Sequence, residues 1–181
     1  MSEFTFIDLF AGISGTRIAF ENTGGKCVFS REIDRFARQT YEANFPDDTE
    51  SPQGDITGIQ NSDIPDHHVL VAGFPCQPFS LAGVSKHNAL GREHGFKHPT
   101  QGTMFFEIQR ILEDKKPSAF LLENVKNLKG HDKGRTLKII IDTLTDPKGL
   151  DYRVFYDVFD AAAGGYTRES PANRGKSSKN S

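Results

Sequence analysis

Two side chains in this sequence have the chemistry of a covalent catalyst, Cys76 and Glu123. A thiolate is a strong nucleophile, and a nearby carboxyl group can donate or accept a proton. Pro75 and Pro78 flank the cysteine, and their fixed φ restrains the backbone that presents the thiol. Glu123 follows four apolar residues, so we expect it to be partly desolvated. Plain structural alternatives stay open: a small buried cysteine in a turn, and a structural or helix-capping glutamate.

A glycine-containing turn near the N-terminus favours a nucleoside-containing cofactor. Gly12 and Gly15 allow the backbone to approach a ligand closely, and the helix that follows would point its N-terminus at that ligand. Glu32 lies 20 residues beyond Gly12 (32 minus 12), near the offset of an acid that binds ribose hydroxyls. Asp55 could accept a hydrogen bond from an adenine amino group, or be a solvated loop acid. The glycine pattern is not a full G-x-G-x-x-G, so a plain tight turn and a nicotinamide-dependent enzyme remain alternatives.

Apolar segments and helical patterns alternate along the chain, which predicts an α/β fold. The expected strands are residues 4–10, 26–31, 68–72, 119–122 and 152–160. The expected helices are residues 16–22, a segment with Phe36, Ala37 and Tyr41 on one face, residues 104–115 and the segment with Leu137, Ile140, Ile141 and Leu144. This order predicts a doubly covered parallel sheet, with ligands bound at the carboxyl ends of its strands. The glycine turn, Glu32, Cys76 and Glu123 all follow such strand ends.

The composition limits the class of protein. The chain has 181 residues, 36% of them hydrophobic and 25% charged, which fits one soluble domain with a real core. It contains no long apolar run and its start does not resemble a signal peptide, so we expect a cytoplasmic protein without membrane contact. Its only cysteines are Cys27 and Cys76, expected to be reduced thiols. The six histidines show no metal-binding spacing, so we interpret them as surface residues and expect no metal.

At these residues the sequence resembles the DNA cytosine-5 methyltransferase family. Residues 6–15 (FIDLFAGISG) resemble its S-adenosylmethionine motif, residues 73–80 (GFPCQPFS) its nucleophile motif, and residues 123–125 (ENV) its acid motif. Residues 55–56 (DI) and 102–108 (GTMFFEI) match intermediate blocks in the family's order. The resemblance runs from residue 4 to about residue 160 and rests on ordered motifs, which makes it far more specific than any single match.

The resemblance implies a Rossmann-like, S-adenosylmethionine-dependent enzyme that acts on a cytosine flipped out of duplex DNA. Cys76 would attack C6 of the base, Glu123 would hold and protonate N3, and C5 would take the methyl group before losing its proton. The implied catalytic residues are Cys76, Glu123, Pro75 and Gln77. The implied cofactor-binding residues are Phe10, Ala11, Gly12, Ile13, Gly15, Glu32, Ile33, Asp55, Ile56 and Pro75. The implied DNA-binding residues are Ser80, Ser85, Lys86 and Arg92, within or beside a mobile loop of residues 81–102 that closes over DNA.

The composition changes sharply after residue 160. Residues 161–181 are rich in Ala, Gly, Ser, Lys and Arg, do not match the glutamine-arginine-arginine block of the family, and are expected to be disordered. We therefore expect a cofactor-binding and catalytic domain over residues 1–160, a sheet truncated before its last strands, no target-recognition domain, and an origin as an N-terminal fragment. Such a chain alone would transfer little methyl. The expected setting of the enzyme is a restriction-modification system. The alternatives are a non-catalytic cofactor-binding fragment, and one half of a split methyltransferase completed by a second chain.

Overall fold

The computed structural model describes residues 4–46, 54–75 and 104–159. Within these ranges the helices and strands, in chain order, are β1 (Phe4–Leu9), α1 (Gly15–Glu21), β2 (Gly25–Arg31), α2 (Arg35–Asn44), β3 (Val69–Gly73), α3 (Met104–Lys115), β4 (Ala119–Glu123) and α4 (Arg135–Thr145). The predictions for Cys76, Gln77, Ser80, Ser85, Lys86 and Arg92, for the loop of residues 81–102 and for the tail after residue 160 lie outside these ranges. None of the described helices is long and apolar enough to cross a membrane.

The four strands form one sheet in the order β2-β1-β3-β4, and every neighbouring pair is parallel. Parallel neighbours require crossover connections, so their carboxyl ends all reach the same edge of the sheet. At the carboxyl end of β1, Leu9 pairs with Arg31 of β2 on one side and with Ala72 of β3 on the other. The predicted α/β class with a parallel sheet is confirmed.

Helices cover both faces of the sheet. Successive side chains of a strand point to opposite faces. On one face, the ring of Phe6 lies 5.2 Å from that of Phe20 in α1. On the other face, Ile7 and Leu9 belong to a buried core that also contains apolar residues of α3 and α4. The members that α3 and α4 contribute to this core are Phe105, Ile108, Ile111, Leu112, Ile140 and Leu144.

The predicted strand over residues 152–160 is wrong for its described part, because residues 151–159 belong to no helix or strand. Tyr152 forms two hydrogen bonds outside the sheet. Its N–H donates to the Leu144 carbonyl at 2.9 Å, and its hydroxyl donates to the Pro117 carbonyl at 2.7 Å. Its ring packs edge-on against Phe120 of β4, with centroids 5.0 Å apart. Side-chain contacts, rather than a backbone ladder, hold this segment near β4.

Two side-chain predictions are also wrong. Phe36 does not lie on the buried face of α2; it is 73% exposed, whereas Tyr41 is buried against Ser30 of β2. Residues five apart on a helix differ by about 140° around its axis, so Phe36 and Tyr41 cannot share one face. His67 is buried rather than on the surface: it comes two residues before β3, and its Nδ1 contacts the Pro65 carbonyl at 2.9 Å.

Candidate active site

The chain between β1 and α1 forms a tight loop at the carboxyl edge of the sheet. Phe10, Gly12 and Ser14 all have positive φ, at 59°, 55° and 78°. The Ala11 N–H donates to the Arg31 carbonyl at 3.0 Å, which fixes the loop to the end of β2. Gly12 needs its left-handed conformation for this turn, and a Cβ there would meet no described atom within 4 Å. Among the described residues, the backbone at Gly12 therefore faces open space, as a ligand-binding turn requires.

Glu32 joins this loop to the end of β2, and the two residues predicted from their spacing do meet. The Gly12 N–H donates to Glu32 Oε2 at 2.8 Å, and the Asp34 N–H donates to Oε1 at 2.7 Å. Each carboxylate oxygen can accept a further bond, so both remain able to bind ribose hydroxyls. Asp34 in turn caps α2, its Oδ1 accepting from the Ala37 N–H at 2.7 Å.

The other predicted cofactor residues differ in exposure. Ile33 is 66% exposed and Ile13 and Gly15 are also exposed, so their surfaces are open to a ligand. Ala11 is buried, and Phe10 is partly buried against the core, so both support the loop from below. The structure thus divides the predicted set into exposed contact residues and buried supports.

Asp55 and Ile56 begin a short 3-10 helix, Ile56–Gly58. Asp55 is exposed, and its Oδ1 accepts the Thr57 N–H at 2.9 Å, which caps this helix. Ile56 is 3% exposed and belongs to the core. The buried isoleucine therefore anchors the turn while the aspartate beside it faces outward.

Glu123 lies beside β3, next to the strand end that leads to Cys76. It pairs with Gly73 in the register of β3 and β4, and its Oε2 lies 3.4 Å from where a Cβ on Gly73 would stand. The expected desolvation of Glu123 is wrong, since the residue is exposed. The reason is alternation: Glu123 shares a face of β4 with Leu121, which is also exposed.

Asn124 is a site residue that the sequence interpretation did not assign a role. Its Nδ2 donates to the Phe74 carbonyl at 2.6 Å, and its Oδ1 accepts the Val125 N–H at 2.9 Å. The ring of Phe74 is buried near that of Phe105 in α3. Asn124 therefore holds the backbone just before Pro75, which is exposed. In the sequence, the position of Asn124 directly after Glu123 was the feature that could have indicated a role in the site.

Asp8 is a second residue that was not assigned. It is 1% exposed within β1, and in the described part of the chain no side chain donates a hydrogen bond to its carboxylate. Burial raises the pKa of Asp8 to about 7; the charge of Arg17 partly offsets this rise, and the charge of Glu32 adds to it. In the sequence, an acidic residue among the apolar residues of β1 was the feature that could have indicated a special role for Asp8.

Solved structures share this fold at low identity. One is a crystal structure of a mutant of DNMT2 from Spodoptera frugiperda, with a TM-score of 0.57, 22% identity, and coverage of 79% of this chain and 41% of that one. Another is a putative DNA modification methyltransferase encoded within an E. coli prophage, with a TM-score of 0.55, 20% identity, and coverage of 77% and 37%. These likenesses concern the arrangement of strands and helices.

Curated relatives are much more similar in sequence. The Type II methyltransferase M.MspI of Moraxella sp is 53% identical over 161 residues, 89% of this chain and 35% of that protein. The Type II methyltransferase M1.ScrFI of Lactococcus lactis subsp. cremoris is 55% identical over 161 residues, 88% of this chain and 38% of that protein. A DNA-cytosine methyltransferase of Escherichia coli K12 is 49% identical over 180 residues, 90% of this chain and 37% of that protein.

The chain thus spans little more than a third of the length of these relatives. The model of one family, described as C-5 cytosine-specific DNA methylase, matches residues 4–169 and so covers most of the chain. The matched range contains the loop at Gly12, Glu32 and the paired ends of β3 and β4. On this match and these identities, the chain belongs to the C-5 cytosine-specific DNA methylase family.

Proposed function

We propose that this chain takes part in methyl transfer from S-adenosylmethionine to C5 of cytosine in duplex DNA, with residues 1–160 as the cofactor-binding and catalytic domain. The observation that supports this most directly is the position of Glu123 beside Gly73, three residues before Cys76. A nucleophile and a proton donor from neighbouring strand ends are what the reaction needs.

The donor set at the other strand ends fits the proposed cofactor. Glu32 offers carboxylate oxygens to the ribose hydroxyls, Ile33 an exposed apolar surface to the adenine, and Asp55 an acceptor to its amino group. The open space at Gly12 lets the backbone approach the ligand. When bound, S-adenosylmethionine supplies the methyl group that the activated C5 takes up.

The chain's own residues would activate the base. The Cys76 thiolate forms an S–C6 bond while Glu123 gives a proton to N3, so the ring's electron density moves to C5. After methylation, which leaves S-adenosylhomocysteine, N3 returns its proton to Glu123, and loss of the C5 proton to solvent breaks the S–C6 bond and restores the thiolate and the aromatic ring. Pro75 would shape the loop that carries the thiol, and Gln77 would act near the flipped base. Asn124 fixes the backbone before Pro75 through the Phe74 carbonyl.

The proposed partner is duplex DNA with the target cytosine flipped into the site, since C6 cannot be reached inside the stack. Ser80, Ser85, Lys86 and Arg92 are the proposed DNA contacts. A second chain carrying a target-recognition domain is a further proposed partner, and exposed apolar side chains at Leu121 and Val125 beside the site favour it. A cytoplasmic restriction-modification role is proposed from the two relatives named Type II methyltransferases.

The alternatives have less support. A nicotinamide-dependent enzyme does not fit the family to which the chain belongs. A non-catalytic cofactor-binding module is disfavoured, because the similar proteins are named as methyltransferases.

Calorimetric titration with S-adenosylmethionine, with and without duplex DNA, tests the cofactor proposal; no binding would contradict it. The nucleophile is tested with a duplex that carries 5-fluorocytosine, which has no C5 proton to lose and so traps the S–C6 adduct. In the presence of the proposed second chain, Cys76→Ser should abolish the adduct and methyl transfer, and the matched control Cys27→Ser should keep both. Burial raises the pKa of Cys27 to about 12, an effect only partly offset by Arg17, so that thiol stays protonated.

A further inference from the structure

Arg110 of α3 reaches from its helix to the turn that carries Asp55. Its Nη2 donates to the Ile56 carbonyl at 2.9 Å, and its Nη1 donates to Asn61 Oδ1. Its Nε donates to Glu107 Oε2 at 2.6 Å, one turn earlier on the same helix. One guanidinium group therefore binds its own helix and two points of a segment about 50 residues away in sequence.

These two points define the shape of the turn. The Ile56 carbonyl closes the Ile56–Gly58 helix by accepting the Ile59 N–H at 3.1 Å, and Arg110 fills its other acceptor position. Asn61 begins the next short helix, Asn61–Asp63. The planar fork of arginine can hold both acceptors at once, whereas lysine presents a single ammonium group. Arg110 therefore fixes the spacing between the two short helices and their distance from α3.

A simpler explanation is an ordinary helix ion pair between Arg110 and Glu107. Such i,i+3 pairs contribute little to stability when they are exposed. That explanation accounts for the bond from Nε alone. It does not account for the bonds to Ile56 and Asn61, which lie on a different element and are made by the other two nitrogens.

We propose that Arg110 is a positioning residue for the adenine end of the cofactor site: by holding the Ile56 carbonyl and Asn61, it places Asp55 where it can accept the adenine amino group. The inference rests on the proposed function in taking Asp55 as the acceptor for adenine. Ile56 transmits the effect, because its side chain is anchored in the core and its backbone is continuous with Asp55. Arg110 itself touches neither cofactor nor substrate in this arrangement.

The test compares Arg110→Met with Arg135→Met. Met keeps most of the apolar stem and has good helix propensity. Arg135, the first residue of α4, is the matched control, because it also pairs with an acid three residues earlier, Asp132, and its described hydrogen bonds all go to Asp132. Titrations use S-adenosylhomocysteine and its inosine analogue, in which a carbonyl oxygen replaces the adenine amino group.

The wild-type chain should prefer the adenine ligand. Arg110→Met should weaken adenine-ligand binding about ten-fold, as expected for the loss of one well-placed hydrogen bond, and change binding of the inosine analogue much less. Arg110→Lys should recover part of the preference, and Arg135→Met all of it. Equal losses for both ligands, or an unchanged preference, would overturn the inference, because a merely structural role would weaken both alike.

Amide hydrogen exchange tests the same positioning without a ligand. The Ile59 and Ile64 amides donate within the two short helices, to Ile56 and Asn61. They should exchange about ten-fold faster in Arg110→Met than in Arg135→Met if Arg110 holds the turn. Unchanged exchange would refute the inference. If the wild-type chain bound neither ligand while Arg110→Met still exchanged faster than Arg135→Met, only the proposed cofactor site would be refuted.

Discussion

Glu123 Oε2 lies 3.4 Å from the position that a Cβ on Gly73 would occupy, and the two residues are partners in the β3–β4 register. A Cβ at residue 73 would therefore just reach contact distance of the carboxylate, and a larger side chain would extend toward it. In the sequence, the same strand leads through Phe74 and Pro75 to Cys76, so Gly73 pairs with the proposed proton donor three residues before the proposed nucleophile.

Gly73→Val should displace the Glu123 carboxylate. A Cβ alone would make ordinary contact with Oε2, whereas the two additional methyl groups of valine need space close to the carboxylate. In the presence of the proposed second chain, we expect methyl transfer to fall about 100-fold, the lower end of what one general acid contributes. S-adenosylmethionine affinity, measured by calorimetry, should stay within about two-fold, because the proposed cofactor residues lie at other strand ends.

Gly73→Ala is the matched control and should resemble the wild type. The ¹³C chemical shift of the Glu123 side-chain carboxyl gives a readout that needs no turnover: it should move in the valine variant and stay in place in the alanine variant. A valine variant with an unmoved Glu123 resonance would show that the carboxylate does not need this space.

The sequence predicts the sheet well, because its strands are short apolar segments and its helices have clear periodicity. α3 has the predicted bounds, and four of its apolar residues are buried: Phe105, Ile108, Ile111 and Leu112. Residues 152–159 show the limit of such patterns. Their composition predicts a strand, but a strand also needs a neighbouring strand to pair with. Tyr152 instead forms hydrogen bonds with the carbonyl groups of Leu144 and Pro117.

Some residues of the candidate site could be predicted from the sequence and others could not. Gly12 and Glu32 could be paired from their spacing, since a βαβ unit brings the ends of β1 and β2 together. Asn124 and Arg110 could not be assigned, because their bonds to Phe74 and Ile56 join residues 50 and 54 positions apart. Local patterns do not encode such long-range hydrogen bonds.

Gly25→Ala should destabilise the fold. A Cβ on residue 25 would lie 2.7 Å from the tip of the Phe4 ring and 3.0 Å from the Phe20 carbonyl oxygen. The ring would have to leave its packing against Phe6 and Phe20. We expect a loss of about 1–3 kcal/mol in the free energy of unfolding, typical of overpacking, measured by urea denaturation.

Gly58→Ala is the matched control, since an added Cβ there meets no described atom within 4 Å and its φ is not positive. Its free energy of unfolding should stay within about 1 kcal/mol of the wild type. Equal stability of the two variants would mean that Phe4 moves aside at no cost.

His67 should make the fold less stable in mild acid. Burial lowers the pKa of His67 from its ordinary value of 6.5, and Lys115 also disfavours its charge, while the Pro65 carbonyl and Asp66 act the other way. The unfolded chain therefore binds a proton at a higher pH than the folded chain. Stability is complete above about pH 6.5 and falls as the pH is lowered, by at most about 1.4 kcal/mol per pH unit. His67→Asn should lose this dependence in urea denaturation at pH 5 to 8; an identical profile would contradict the prediction.

Asp8 should act in the opposite direction. Its pKa of about 7 in the folded chain lies above the ordinary value of 3.8, so the folded chain holds the proton more tightly. Stability is therefore greatest below about pH 4, falls as the pH rises, and is lowest above about pH 7, where the buried carboxylate must be charged.

Asp8→Asn replaces the protonated acid with a neutral group of the same shape, so it should remove this loss. Above pH 7 we expect a gain of up to about 4 kcal/mol in the free energy of unfolding, and near pH 4 almost none. The comparison is best made in the His67→Asn background, because His67 changes stability with the opposite sign in an overlapping pH range. The exposed control Asp142→Asn, which loses only its surface pair with Lys138, should change stability by less than about 0.5 kcal/mol. If Asp8→Asn gave no gain at pH 8, Asp8 would have to find in solution a donor that offsets its burial.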